Sequence, residues 1–388
     1  MRVHQRSAGG GKPGDGILIA IDRRAAIGGG ALALAGCTAT PPVRSASAGP
    51  RVPCPPPVRV AADRVIRTVA GLRPYRPSGF RVAAEALGPK RLVHNYGHGG
   101  GGITLSWGSS RLAVDLALQG QTGGVAVIGA GVMGLTTARL VQEAGYPVTI
   151  YTDRLPPETT SNIAGGQWYP SSVVNRVGAD PAFDGQLRAA ALYSYRRYQL
   201  LVGDDYGVRW MTNYVAAGSD WRPDAMDRLL EGMLPESRLL APGEHGFPFP
   251  HVHQYGGMIV EPARFLRAVE RDVRIAGGRI EIRRMEGLAD LAVLPEPTII
   301  NCTGLGAATL VSDAELTPVR GQLAVLLPQA EVDYALFAPG LRYMFSRPDG
   351  IVLGGTWERG VGDPMPQPER IARIVAGHRE LFSQWRCG

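Results

Sequence analysis

The sequence predicts a mixed α/β fold with two sheets, one of them built around a strand–turn–helix–strand unit. Three observations carry this. Residues 125–153 read strand, Gly-rich turn, helix, strand; the chain beyond alternates helical stretches with short strands; and 388 residues that are 45% hydrophobic suffice for a large core.

The net charge of +7 is unevenly placed. Residues 1–60 hold Arg2, Arg6, Lys12, Arg23, Arg24, Arg44, Arg51 and Arg59 against Asp15 and Asp22, a balance of +6, so of the net +7 only +1 remains for 61–388. Interspersed Arg, Asp and Glu in that body leave no clustered basic face, which argues against nucleic acid as a partner. The basic head has its own reading. "DRRAAIGGGALALAGC" runs from the pair Arg23-Arg24 through a short apolar stretch to Leu34-Ala35-Gly36-Cys37. That stretch is too short to span a bilayer, which takes roughly 20 residues, but suits an export signal. The twin arginines resemble a Tat signal and L-A-G-C a bacterial lipobox, so 1–37 is expected to direct export and Cys37 to carry a membrane-anchoring lipid. Residues 38–60, rich in Pro, Ser and Ala, are expected to be an extended tether without core contacts.

In the body, 61–85 reads as a short helix and a strand punctuated by Arg and Pro. "RLVHNYG" (91–97) reads as a strand entering a Gly-rich turn, and "ITLSWGSSRLAVDLAL" (103–118) as a helix. "QGQTGG" (119–124) is a linker of turn formers. "VAVIG" is then a buried strand, Gly129-x-Gly131-x-x-Gly134 opens a helix, Gly145 stands at its C-terminus, and "PVTIY" is the second strand, followed by Asp153. The first glycine permits the tight turn, the second lets backbone approach a pyrophosphate, the third lets helix pack on strand, and the helix N-terminus offers free N–H groups to phosphate. This unit predicts a Rossmann-like domain. Further on, "PAFDGQLRAAALYSYRRYQLLV" and "EPARFLRAVERDVRIAGG" read as helices alternating with the short strands "GGMIVE", "RIEIRRM", "PTIINCTG", "RGQLAVLL" and "GIVLGGT", which predicts a mixed α/β chain with a second sheet richer in antiparallel strands.

From Val125 on, "VAVIGAGVMGLTTARL" and "YTDRLPPETTSNIAGGQWYP" resemble the opening of the D-amino-acid oxidase family. Ile300-Asn301-Cys302-Thr303-Gly304, Arg320-Gly321-Gln322 and the V-L-G-G at 352–355 follow in that family's order. Its closing elements, an R-P-x-R-P strand and an H-N-Y-G-H-G-G loop running into a W-G helix, stand upstream instead, as "GLRPYRPSGFRVAAE" (71–85) and "HNYGHGGGGITLSWG" (94–108). That order is what a circular permutation produces, with the family's termini joined through "QGQTGG" and new ends opened before Arg-Pro-Tyr-Arg-Pro.

The resemblance implies FAD as cofactor. Its expected contacts are Gly129, Gly131, Val132, Met133 and Gly134 at the motif; Asp153 and Arg154 after the second strand; Thr159, Thr160, Ser161, Gly165 and Gly166 around the flavin; Gly304; and Gly99, Gly100, Gly102, Ile103 and Thr104, whose loop brings N–H groups toward the flavin pyrimidine oxygens. It implies an FAD-binding domain of about 86–166 and 261–310, and a substrate domain of about 61–85, 167–260 and 311–388. The implied reaction is oxidative deamination of a D-amino acid with oxygen as acceptor. Arg73 matches the carboxylate-binding arginine and Tyr343 the tyrosine donating to the same carboxylate. A second tyrosine of the family, on a lid, is here Pro339. Alternatives remain: a glycine or D-aspartate oxidase, a quinone-linked dehydrogenase, or a non-catalytic FAD-binding lipoprotein. His98 is expected to be structural. His245, His251 and His253 lack a completing Cys or carboxylate pattern and are expected in a loop, so no metal is expected. Cys302 is expected to be buried. Permutation brings the new ends together, which allows a Cys54–Cys387 disulfide in an exported protein.

Overall fold

The computed structural model describes residues 54–386 apart from residue 242. The chain enters with β1 (Val65–Tyr75), β2 (Arg81–Leu87) and β3 (Lys90–Tyr96), then α1 (Gly102–Leu118), β4 (Val125–Ile128), α2 (Val132–Glu143) and β5 (Val148–Thr152). The helix α3 (Pro181–Gln199) starts at Asp180, whose side chain accepts from the amides of Ala182 and Phe183, with Pro181 preset for the first turn. There follow β6 (Val208–Ala217), β7 (Arg238–Leu240), β8 (His251–Val260), the helix Pro262–Ile275, β9 (Arg279–Ile282) and β10 (Thr298–Asn301). The chain closes with β11 (Thr317–Leu326), β12 (Tyr334–Ala338), β13 (Arg342–Arg347), β14 (Gly350–Gly354), β15 (Glu358–Arg359) and the helix Pro368–Ser383.

Two sheets result. The six-stranded one runs β2-β3-β10-β4-β5-β9, parallel except for the antiparallel β2–β3 edge pair. Its central strands β4, β5 and β10 are buried along their whole length, as parallel strands covered on both faces must be. The nine-stranded sheet runs β1-β11-β14-β13-β12-β6-β8-β7, with β15 against β11, and is antiparallel except for β12–β6. Period-two alternation splits it cleanly. Leu323, Val325, Phe345 and Val352 gather on one face with Phe337 and Tyr343. Ala324, Leu326, Met344, Ile351 and Leu353 gather on the other, under Ile371, Ile374 and Phe382 of the C-terminal helix.

Three expectations need correction. The start of the body lies before residue 61: Val58 is buried in the core with Tyr334 and Phe382, and Gln329 takes the Arg59 amide at 2.8 Å, because a Pro-rich segment needs no ladder of its own to lie in an apolar groove. β8 begins five residues before "GGMIVE", so His251 and His253 sit on a strand. There the His253 ring stacks on Trp221 at 3.9 Å and its Nε2 meets the Ser237 hydroxyl at 2.7 Å. "RIEIRRM" is strand only to Ile282, and Arg283–Met285 turn away from it. The export signal and Cys37 lie outside the described residues.

Cys302 is buried and free, whereas Cys54 is disulfide-bonded. Cys387, expected to pair with it, lies outside the described residues, as does Cys37. Trp385 donates from its indole to the Pro55 carbonyl at 3.1 Å, which brings the C-terminal end beside Cys54. Non-reducing peptide mapping is expected to recover a Cys54–Cys387 peptide pair. Closing a loop of several hundred residues stabilises by up to about 5 kcal/mol on chain-entropy grounds, so reduction should lower Tm. Free thiols at both positions would sink this pairing.

Candidate functional site

Between the sheets lies a cavity of about 1240 Å³, larger than the roughly 300–1,000 Å³ of ordinary small-molecule sites. One half opens at the C-terminal ends of β4, β5 and β10, where open α/β sheets bind ligands. Gly129 leaves β4 with φ +104°, a conformation that favours glycine. The first intrahelical bond of α2 is Leu135 N–H to the Gly131 carbonyl, so the earlier amides have no helix acceptor. Ser161 Oγ takes the Val132 amide at 3.0 Å, which leaves the amide of cavity-lining Met133 at the dipole's positive end. A Cβ on Gly131 would meet only Ser161 Oγ, at 3.3 Å, so this glycine leaves its space open to the cavity. Gly134 does not line the cavity. A Cβ there would stand 1.8 Å from the Gly129 carbonyl, so it serves helix–strand packing.

The other expected cofactor contacts all line the cavity, but several are already committed to the protein. Arg154 holds the Asp153 carboxylate at 2.9 Å and so keeps its pKa below the usual range. Thr159 Oγ1 donates to Asn162, while Thr160 and Gly304 face the cavity beside them. A Cβ on Gly165 would strike the Phe345 ring at 2.5 Å and one on Gly166 the Val260 carbonyl at 2.0 Å, so packing demands both glycines. The turn they form is gripped from below. Arg347, paired with Asp349, donates to the carbonyls of Ala164 (3.0 Å) and Gly165 (3.3 Å).

In the loop before α1, the amides of Gly99 and Gly100 are consumed by the Pro74 and Ser172 carbonyls. Both residues line the cavity, but with these two amides already bonded to protein carbonyls. The first-turn amides of α1, at Gly102, Ile103 and Thr104, are the ones without helix acceptors, since the first intrahelical bond is Leu105 N–H to Gly101. The Thr104 hydroxyl ties the turn to the Tyr169 carbonyl at 3.1 Å. Arg283 and Arg284, past the end of β9, line the Asp153 end of the cavity and went unnoticed in the sequence, where they read as strand.

His98 stacks on Phe80 at 4.8 Å, and its Nε2 has no hydrogen-bond partner. Burial pushes its pKa down to about 3. An unfolded imidazole titrates near 6.5. Between those values the unfolded chain takes up a proton that the native chain refuses, so His98's contribution is complete above pH ~6.5 and drains away as pH falls toward 3. His98→Phe, which keeps the stack, should flatten the acid-side fall in unfolding free energy by one proton's worth of slope; an unchanged slope contradicts this.

The cavity's second half lies on the nine-stranded sheet. Arg73 on β1 and Tyr343 on β13 are separated by β11 and β14, yet Arg73 Nη2 reaches the Tyr343 hydroxyl at 3.4 Å. Two glycines make this possible. A Cβ on Gly321 would stand 2.1 Å from Arg73 Nη1, and one on Gly354 2.1 Å from Tyr343 Cζ, so both side chains lie flat across bare backbone. Arg73 Nη1 also donates to the Thr356 carbonyl at 3.3 Å, and no carboxylate among the described residues pairs with its guanidinium. Phe337, Phe345 and Leu323 make the apolar wall. Pro339, Gly340 and Leu341 form only a short turn between β12 and β13.

Helix-terminal amides without helix acceptors, a turn glycine whose side-chain space opens to the cavity, and a long crevice between sheets fit a dinucleotide whose far end reaches the Arg73 arm. Such a fold and cradle define an FAD-dependent oxidoreductase. The chain belongs to the FAD dependent oxidoreductase (DAO) family, whose profile matches residues 52–116 and 124–386, and FAD is its cofactor. It is similar to the D-amino-acid oxidase of Streptomyces coelicolor, 31% identical over 268 residues, or 66% of this chain and 76% of the relative. The D-aspartate oxidase of Homo sapiens is 27% identical over 266 residues, 66% of this chain and 75% of that one. The solved structure of glycine oxidase from Geobacillus kaustophilus superposes with a TM-score of 0.51 at 18% identity, covering 68% of this chain and 80% of that one, which supports the fold.

Proposed function

We propose that this protein catalyses oxidative deamination of D-amino acids to 2-oxo acids and ammonia. The observation that carries this reading is the Arg73–Tyr343 pair: a guanidinium without a carboxylate partner among the described residues, flat on a glycine floor, facing an apolar wall in the cavity that holds the cofactor. Bound FAD supplies the hydride acceptor at flavin N5 and the route of electrons to oxygen, giving hydrogen peroxide. The planar fork of Arg73 binds both oxygens of the substrate carboxylate, and the Tyr343 hydroxyl donates to the same group. Together they fix the α-hydrogen's position. The imino acid released hydrolyses in water. Relatives that carry the names D-amino-acid oxidase and D-aspartate oxidase support amine oxidation.

A panel of D- and L-amino acids assayed on flavin-loaded protein for peroxide, beside dye reduction under anaerobic conditions, tests the reading. Peroxide from neutral D-amino acids is expected. Dye reduction without peroxide points to a quinone-linked dehydrogenase, preference for glycine or D-aspartate to those oxidases, and no flavin bleaching with any amine to a non-catalytic protein. Gly321→Ala probes the clamp separately: its Cβ displaces the guanidinium, and a misplacement near 1 Å can lower kcat/KM on the order of a hundredfold with flavin retained. Wild-type kinetics in that variant would argue against the clamp.

The reading includes circular permutation and export. Permutation is supported by the family match falling into two blocks that leave out residues 117–123, most of the Gln119–Gly124 linker, and by Trp385 meeting Pro55 where the family's chain would be continuous. Export with a lipid on Cys37 is supported by the sequence of residues 23–37 alone.

A further inference from the structure

We propose that Trp357 is a positioning residue of the carboxylate clamp: its ring holds the Arg73 guanidinium in place and shields its ion pair with substrate from water. This rests on the reading of Arg73 as the carboxylate-binding residue.

Arg73 is a long side chain with only two hydrogen bonds, both long, at 3.3 and 3.4 Å, and with no ion pair to a described carboxylate. Something else must keep it flat. Its Cζ lies 5.7 Å from the centre of the Trp357 ring, within range for a cation–π contact. Trp357 is itself held. Tyr75, only 5% exposed, meets it edge-on at 5.3 Å and 82°, and the Arg359 guanidinium lies against the Tyr75 ring at 5.6 Å. The neighbouring Thr356 is anchored as firmly: its hydroxyl accepts the Gln322 amide at 3.1 Å and donates to the Arg320 carbonyl at 3.3 Å, while its own carbonyl receives Arg73 Nη1. Thr356 and Trp357 thus grip the guanidinium from two directions.

Trp357 also lines the cavity while remaining 37% exposed, so it borders both the clamp and solvent. The β12–β13 turn borders the same cavity but is short. Three residues span at most about 10 Å, too short a loop to fold over the arm. A fixed aromatic ring on the β14 side therefore shields the ion pair from water, and its weak contact with Arg73 strengthens as water is excluded.

The test compares wild type, Trp357→Ala, Trp357→Leu and Arg73→Leu, all loaded with FAD and checked for flavin absorbance. D-alanine turnover and propionate binding, read from the flavin spectrum, are measured at low and high ionic strength. Trp357→Ala should raise KM and the propionate Kd about tenfold with kcat nearly unchanged. Both constants should then climb with salt, as an exposed ion pair does, while wild type stays flat. Trp357→Leu, which shields without a π face, should recover salt insensitivity but only part of the affinity. Unchanged or salt-insensitive constants in Trp357→Ala, with Arg73→Leu still impaired, would overturn the role of Trp357 and leave the clamp standing. Unchanged constants in Arg73→Leu would overturn the clamp itself and this inference with it.

Discussion

Arg73→Leu should purify with its flavin and lose nearly all productive affinity for amino-acid substrate. The guanidinium lies on the Gly321 backbone and meets the Tyr343 hydroxyl, the Thr356 carbonyl and the Trp357 ring, none of which belongs to the Gly-rich turn and helix that cradle FAD. Its removal therefore leaves the cofactor half intact. What disappears is a charge-assisted, two-pronged contact in a partly buried arm. Truncating one side of such a pair costs about 2–5 kcal/mol, roughly thirty- to several-thousandfold in kcat/KM. Most of the loss should fall on KM, since the carboxylate is gripped in ground and transition state alike. Steady-state kinetics across substrate concentrations decide it, and wild-type constants would remove Arg73 from the site.

Gly131→Val should yield a colourless protein. Unlike Gly134, where a Cβ collides with the Gly129 carbonyl, Gly131 meets only the far end of Ser161, at 3.3 Å. Its φ of −73° suits any residue. The chain's own packing thus gives weak reason for glycine here, and the close approach of a pyrophosphate gives a strong one. A valine would fill the space in front of the α2 amides. Far-ultraviolet circular dichroism should report a near-native fold while flavin absorbance is lost. A soluble Gly131→Val protein that stays yellow would show that the phosphates pass elsewhere.

These two variants also mark which parts of the site were legible in the sequence. The Gly129–Gly134 turn was readable because strand, turn and helix are contiguous and each glycine has a local reason. The Arg73 and Tyr343 roles came only through resemblance, since nothing in "GLRPYRP" or "LRYMFS" by itself separates a ligand from a strand residue. β6, β12, β13 and the Pro368–Ser383 helix went unassigned: β6 buries residues on both faces, which blurs the alternation, and β12 is only five residues long. Arg347 is another case. Its paired partner Asp349 is two residues away, but the Ala164 and Gly165 carbonyls it supports lie more than 180 positions back in the chain.

By itself, then, the sequence determined what short-range physics determines: the βαβ unit, the glycine-opened helix, the mixed α/β class and the segments that resemble a flavin-dependent family. The tertiary structure alone decided what depends on chain stretches far apart. Strands β1 and β13, 270 residues apart at Arg73 and Tyr343, meet across β11 and β14 because Gly321 and Gly354 leave the sheet bare beneath them. Two of the loop amides expected to face the flavin, those of Gly99 and Gly100, are instead bonded to the Pro74 and Ser172 carbonyls, because buried N–H groups take whatever carbonyl the fold brings near. Trp357 carries no motif, and only the folded sheet sets its ring 5.7 Å from the Arg73 guanidinium.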